Sequence, residues 1–213
     1  MKVQIYTLSA IIMFFFGQVT AQSIKEEIKT LKSYVEQESY GQALQLADKL
    51  IGNKVKEDFK EHAGDVYLYR GLAKKAIGID EDAIVDFKVA VALNNKLKEA
   101  YFHIGEIYYN LNAYSSALEN VIYFLEAQAD DKNGLSLKAK CLLKLGESMA
   151  AKMTIQRAIA LVSSDPELYY IRAAINNSLG RKDLACKDAK IALHFGFEDA
   201  QNFVNNFCKN NDE

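Results

Sequence analysis

Four alanines, Ala83, Ala117, Ala151 and Ala185, follow one another at intervals of 34 residues. Twelve residues before each lies a second small residue: Gly71, Gly105, Ala139 and Ala173. Four residues before those come Tyr67, Tyr101, Leu135 and Tyr169. A turn former, Gly78, Asn112, Gly146 or Gly180, stands five residues ahead of each alanine in the first series. Four series that keep one register over four periods mark a stacked supersecondary unit, because one unit cannot bury its apolar face alone. Composition identifies the unit as helical. One proline and eleven glycines in 213 residues leave little material for turn-rich β architecture. Ala, Leu, Lys and Glu are abundant, as helices prefer.

This pattern resembles the tetratricopeptide repeat (TPR), a helix–turn–helix unit of 34 residues. The matching positions are large at Tyr67 and small at Gly71, Ala83 and Ala90. Ala158 and Ala192 repeat the last of these, whereas Phe124 departs from it in the second copy. The resemblance implies an all-α fold: a right-handed α-solenoid of about five TPR-like helix–turn–helix repeats plus a C-terminal capping helix. Small side chains at Gly71 and Ala83 let paired helices approach where they cross, and Tyr67, Phe87 and Tyr101 fill the space towards the next repeat. Gly78, Gly146 and Gly180 suit the left-handed conformation at a helix end. In "SSDPELYY", Asp165 reads as a helix cap and Pro166 as the first helical residue.

The expected organisation has four parts. Residues 1–21 form a secretory signal peptide: Lys2, an apolar run from about Leu8 to Phe16, then Val19-Thr20-Ala21 before the cleavage point. Residues 22–63 hold a divergent first repeat, with Ala43 in the alanine slot, Glu27 in the large slot, Leu31 in the small one, and "VKEDFKEHAG" as a lengthened second helix or linker. Four regular repeats fill 64–197. Residues 198–213 carry a capping helix, whose Ala200, Phe203, Val204 and Phe207 make one apolar stripe. The expected chain is therefore exported, to a periplasmic or extracellular location, and is not inserted in a membrane after cleavage. Loss of residues 1–21 removes Lys2 and no acid, leaving 25 basic against 28 acidic residues and a net charge of −3. That balance gives no electrostatic reason to expect nucleic acid as a partner.

No catalytic constellation is visible. G-x-S-x-G, a Gly-rich phosphate loop and H-E-x-x-H are all missing from the sequence. His62, His103 and His194 lie on different repeats, and none has another His or Cys three or four residues away, as a helical metal pair requires. "GIDEDAIVD" reads as the acidic first turn of a helix with Asp80 as cap, and not as a calcium loop. Asn176-Asn177-Ser178 matches a glycosylation sequon but falls inside a helix of the stack. We therefore expect neither an enzyme nor a cofactor or metal site.

What remains is a surface. In the family that this chain resembles, the first helices of successive pairs line a groove that grips a peptide or protein. By that resemblance the inward positions are Leu68, Leu72, Phe102, Glu106, Tyr109, Lys140, Leu143, Tyr170 and Asn177. Leu68 and Leu72 stand where relatives that clamp a terminal carboxylate use polar residues, so that clamp is not matched. The expected function is a non-enzymatic scaffold binding a peptide or protein through this groove. The alternative is an accessory subunit of a cell-envelope complex, touching partners by its convex face or ends.

Three cysteines complete the reading. Cys186 lies ten residues before Gly196 and Cys208 twelve after it. In an antiparallel hairpin a two-residue mismatch shifts them by only ~3 Å along the axis, so a disulfide is expected in an oxidising compartment. The alternative is a pair of buried free thiols. Cys141 is left over, as a small core residue or the site of an intermolecular bond.

Overall fold

The computed structural model describes residues 24–52 and 57–208. The expected signal peptide at 1–21 lies outside them. Among the described residues there are eleven helices and no strand. They are α1 (24–36), α2 (Tyr40–Gly52), α3 (Glu57–Ala76), α4 (Asp80–Leu93), α5 (Glu99–Asn110) and α6 (Tyr114–Ala127). The others are α7 (Lys132–Lys144), α8 (Ser148–Leu161), α9 (Pro166–Ser178), α10 (Lys182–His194) and α11 (Ala200–Phe207). The chain divides into two compact units, 1–100 and 101–213, so the repeat block expected at 64–197 is shared between them.

The turn inside each of the five helical pairs from α1–α2 to α9–α10 closes in one way. The amide three residues past the helix end donates to the carbonyl five residues back: Ser39 to Tyr34, Ile79 to Lys74, Ala113 to Tyr108, Glu147 to Leu142 and Arg181 to Asn176. This pattern needs a residue with positive φ before the donor. Gly78, Gly146 and Gly180 supply it at φ 79, 83 and 71°, and Asn112 at 60°. In the α1–α2 turn the residue is Glu38, at φ 57°.

In the first unit, Leu31, Ala43, Ala47, Leu50, Phe59, Ala63, Val66 and Ala73 form a continuous core. Leu31 is buried against alanines of α2, so the large residue stands where the regular copies have a small one. The extra length of this region belongs to α3, which has 20 residues where α7 and α9 have 13. "VKEDFKEHAG" is thus not a lengthened second helix: from Glu57 onward it forms the start of α3, because Phe59 and Ala63 bury against α2. Further along α3, Gly71 makes room for Phe87 of α4. A Cβ built at Gly71 would lie 2.8 Å from that ring, which is wholly buried. Phe87 therefore fills the crossing inside its own pair. Asp80 is the first residue of α4 and caps nothing; Ile79 takes the cap position without a side-chain hydrogen bond. The apolar residues that follow set this start, and the acids Asp80, Glu81 and Asp82 favour the positive end of the helix.

In the second unit, Ala117, Val121, Leu137 and Cys141 pack α6 on α7, and Leu135, Ala139, Leu142, Ala151, Ile155, Ala158, Leu168, Ile171 and Ile175 carry the core through α7, α8 and α9. Phe124, the departure from the small-residue pattern, is compensated across the interface. A Cβ at Gly134 would come within 2.8 Å of its ring, so the space it needs is taken from the next helix. Asp131 and Asp165 cap α7 and α9, accepting from the amides of Gly134 (2.7 Å) and Glu167 (3.0 Å), with Pro166 at the first turn as expected.

The register runs on into α11. Phe203 lies one period after Tyr169, and it is buried against Tyr170 and the α10 alanines Ala185 and Ala189. One turn later Phe207 occupies the slot held elsewhere by Gly or Ala. So α11 begins as the first helix of a further pair and stops where a second helix would have to cross it.

Candidate protein-binding face

The first helices of the second unit lie side by side. Phe102 and Tyr109 of α5 pack on the same cluster as Leu137 and Cys141 of α7. Between α7 and α9, the Lys140 ammonium donates to Glu167 at 2.6 Å and that of Lys132 to Asp165 at 2.6 Å. Seven of the nine expected groove residues sit on these three helices: Phe102, Glu106 and Tyr109; Lys140 and Leu143; Tyr170 and Asn177. All seven are half-buried. Each leaves part of its side chain exposed while the rest is fixed by packing.

Those fixing contacts are specific. The Phe102 ring lies 5.2 Å from Phe124, and Tyr109 lies 5.5 Å from Tyr114. Burial raises the Tyr109 hydroxyl above the ordinary tyrosine range, so it remains a neutral donor at physiological pH. Nδ1 of His103 lies 3.0 Å from the Glu106 carboxylate. Lys140 is already paired with Glu167, so a partner carboxylate would have to compete for it.

Leu68 and Leu72 are on α3, in the first unit. Leu72 is half-buried, but Leu68 is only 2 % exposed. Leu68 is therefore a core residue and not part of any surface. The two positions differ by only about 40° around the helix, and the 34-residue pattern does not fix rotation that finely.

The structure also contains a charged motif that the repeat pattern hid. In the first unit, Arg70 donates from Nε to Oδ2 of Asp86 at 2.8 Å and from Nη2 to Oδ1 at 2.6 Å. Its guanidinium stacks 5.2 Å from the Tyr67 ring centre. In the second unit, Arg172 binds Asp188 through the same atoms at the same two distances, and stacks 5.2 Å from Tyr169. Each residue of the second set lies three periods of 34 after its counterpart in the first. The copies between carry Ile104 with Asn120 and Lys138 with Thr154 at these positions, so the motif skips them. A third residue completes each set. Lys74 approaches Asp86 at 2.8 Å, and the Asn176 amide donates to Asp188 at 2.9 Å. Both aspartates are buried, and their bonds raise the pKa of Arg70 and of Arg172. The signal was present in the sequence, as polar residues in register inside helices otherwise packed on their neighbours.

Cys186 and Cys208 stand at disulfide-bonding distance, with Cα atoms 5.6 Å apart and sulfurs 2.16 Å apart. Cys141 is a buried free thiol whose pKa is pushed up to about 12 by desolvation. Among the described residues no group of three or more His, Cys, Asp and Glu is placed to hold a metal ion, and no helix is long and apolar enough to cross a membrane. Asn176 of the sequon lies buried in α9.

Helical pairs, recurrent turns and small-residue crossings define the fold as an α-solenoid of TPR-like repeats. Solved structures carry the same fold. A MamA AMB-1 structure matches with a TM-score of 0.68 at 20 % identity, over 79 % of this chain and 96 % of that one. MamA from Desulfovibrio magneticus RS-1 (41 to the end) matches with a TM-score of 0.70 at 13 % identity, over 80 % of this chain and 93 % of that one. At such identities the likeness is one of fold. No family model and no curated protein matches the sequence.

Proposed function

We propose that this chain is an exported, non-enzymatic scaffold that binds a peptide or protein along the face shared by α5, α7 and α9. The observation that carries this reading is the set of half-buried aromatic and aliphatic side chains there, Phe102, Tyr109, Leu143 and Tyr170, beside the paired charges of Lys140 and Glu167. Aromatic anchors held by packing lose little entropy on binding, and a few polar groups among them set orientation. Export rests on the basic start, apolar run and small residues of 1–21. In that compartment Cys186 and Cys208 form a disulfide that fastens α11 over the last pair as a cap.

Capture of a partner from the native cell envelope tests the reading. Phe102→Ala with Tyr109→Ala abolishes capture if the face binds; undiminished capture overturns it. A mature chain beginning at Gln22 supports export, and retention of residues 1–21 contradicts it.

One observation favours a second reading. Met149 and Met153, one turn apart on α8, are 56 % and 71 % exposed, unusual for adaptable apolar side chains. An accessory subunit contacting a complex through α8 would use them, and Met149→Ser with Met153→Ser would then abolish the capture.

A further inference from the structure

The α10–α11 junction has a feature that a permanent staple does not need. A hollow of about 170 Å³ opens beside Cys186, lined by Lys182, Asn177, Asn206 and Phe207 among others. Cys186 belongs to its wall and Cys208 does not. Lys182 stands one helical turn before Cys186, so an incoming thiolate meets a cation as it approaches the sulfur. The remaining hold on α11 is slight. It is eight residues long, with Ala200 buried and with Phe203 and, in part, Val204 packed against Tyr170, Ala173, Ala185 and Ala189. An isolated helix of that length does not persist in water, so its structure depends on docking.

We propose that the Cys186–Cys208 bond is a redox latch: reduction by a dithiol releases α11 and uncovers Tyr170 at the end of the α5–α7–α9 face. The proposal rests on the disulfide reading above. One reductant sulfur, as thiolate, attacks Cys186 Sγ from the hollow and forms a mixed disulfide, while Cys208 departs as a thiolate. The second reductant sulfur then attacks the mixed disulfide, and Cys186 departs in turn. The dithiol becomes a disulfide, and the two cysteine thiolates take up two protons. Two electrons pass from the dithiol to the protein. Without the bond, docking of α11 becomes an equilibrium held by a few apolar contacts. Its departure removes Phe203, whose ring meets that of Tyr170 edge-on at 6.3 Å, and so opens one side of Tyr170, while Phe197, ahead of α11, keeps its contact at 5.1 Å.

The test is backbone hydrogen exchange on the mature chain in three forms: as isolated, reduced with dithiothreitol, and as Cys208→Ser. Intact mass before and after reduction establishes the bond separately. A gain of two hydrogens is expected, and no gain overturns both the disulfide and the latch. With the bond established, reduction and Cys208→Ser should each speed exchange at 203–208 by at least tenfold, while α9 and α10 keep their protection. Equal exchange at 203–208 in all three forms overturns the latch and leaves a plain staple. Loss of protection through α9 and α10 overturns it as well, since the bond would then hold the whole pair. Lys182→Gln should slow the reduction by dithiothreitol several-fold; an unchanged rate contradicts the attack route.

Discussion

Arg172 closes on Asp188 through two hydrogen bonds, of 2.8 and 2.6 Å, that repeat atom for atom those between Arg70 and Asp86 three periods earlier. A buried carboxylate is costly unless its hydrogen bonds are made, and here each oxygen is served by the guanidinium. Asp188→Asn should therefore lower stability by about 2–3 kcal/mol, towards the lower end for a broken buried pair because Arg172 is partly exposed. Denaturant unfolding measures the loss. Arg172→Met with Asp188→Leu should recover most of it, because replacing both charges removes the unpaired one.

Phe124 and Gly134 form a compensating pair, so their substitutions should be coupled. Gly134→Ala alone should cost about 1–2 kcal/mol, since its Cβ meets the Phe124 ring and Leu125 Cδ2, each at 2.8 Å. Phe124→Ala alone leaves a cavity and should cost about 3 kcal/mol. Added to Phe124→Ala, however, Gly134→Ala should cost less than it does alone, because the ring is gone and only the flexible end of Leu125, whose Cδ2 lies 2.8 Å from the new Cβ, has to give. Thermal denaturation of the four proteins reads the coupling.

Glu38 occupies the left-handed region at the α1–α2 turn, where the later turns use glycine or asparagine. Glu38→Gly should raise stability by about 1 kcal/mol by relieving that backbone strain. Gly180→Ala, at φ 71°, should lower it by a similar amount. Similar losses from both substitutions would contradict this.

Cys141 stays protonated when folded well beyond the ordinary thiol range, with its pKa pushed up to about 12. In the unfolded chain it ionises near the ordinary thiol value of 9.0. Between these values the unfolded state has lost a proton that the folded state keeps. Stability should then fall with pH above about 9, by up to about 1.4 kcal/mol per unit from this group. Cys141→Ala should remove that component of the alkaline slope. Iodoacetamide at neutral pH should label Cys141 only after unfolding.

Much of this architecture was legible because solenoid packing is local and repeats itself. Gly71, Ala83 and Gly78 each answer one geometric demand, and the demand recurs every 34 residues, so chance matches drop out. The readings that changed lie where periodicity says little. Leu68 and Leu72 differ by about one turn and a small rotation, yet one is core and the other half-buried. The extra residues before Gly64 could lengthen either neighbouring helix, and burial of Phe59 and Ala63 on α2 placed them in α3. Asp80 looked like a cap from residue type alone, but the helix begins on it. The Arg–Asp motif was missed because it occurs in two copies out of four, and a search for a residue common to all copies passes over it.

The proposed binding face is tested most directly by site-specific photocrosslinking. A benzophenone side chain is placed at position 109 on α5 and, in a second protein, at position 153 on α8. Both proteins are irradiated in the native envelope. Partner binding along α5, α7 and α9 predicts a discrete adduct from position 109 and none from position 153. An adduct from position 153 alone would contradict it and transfer the interaction to the exposed methionines of α8.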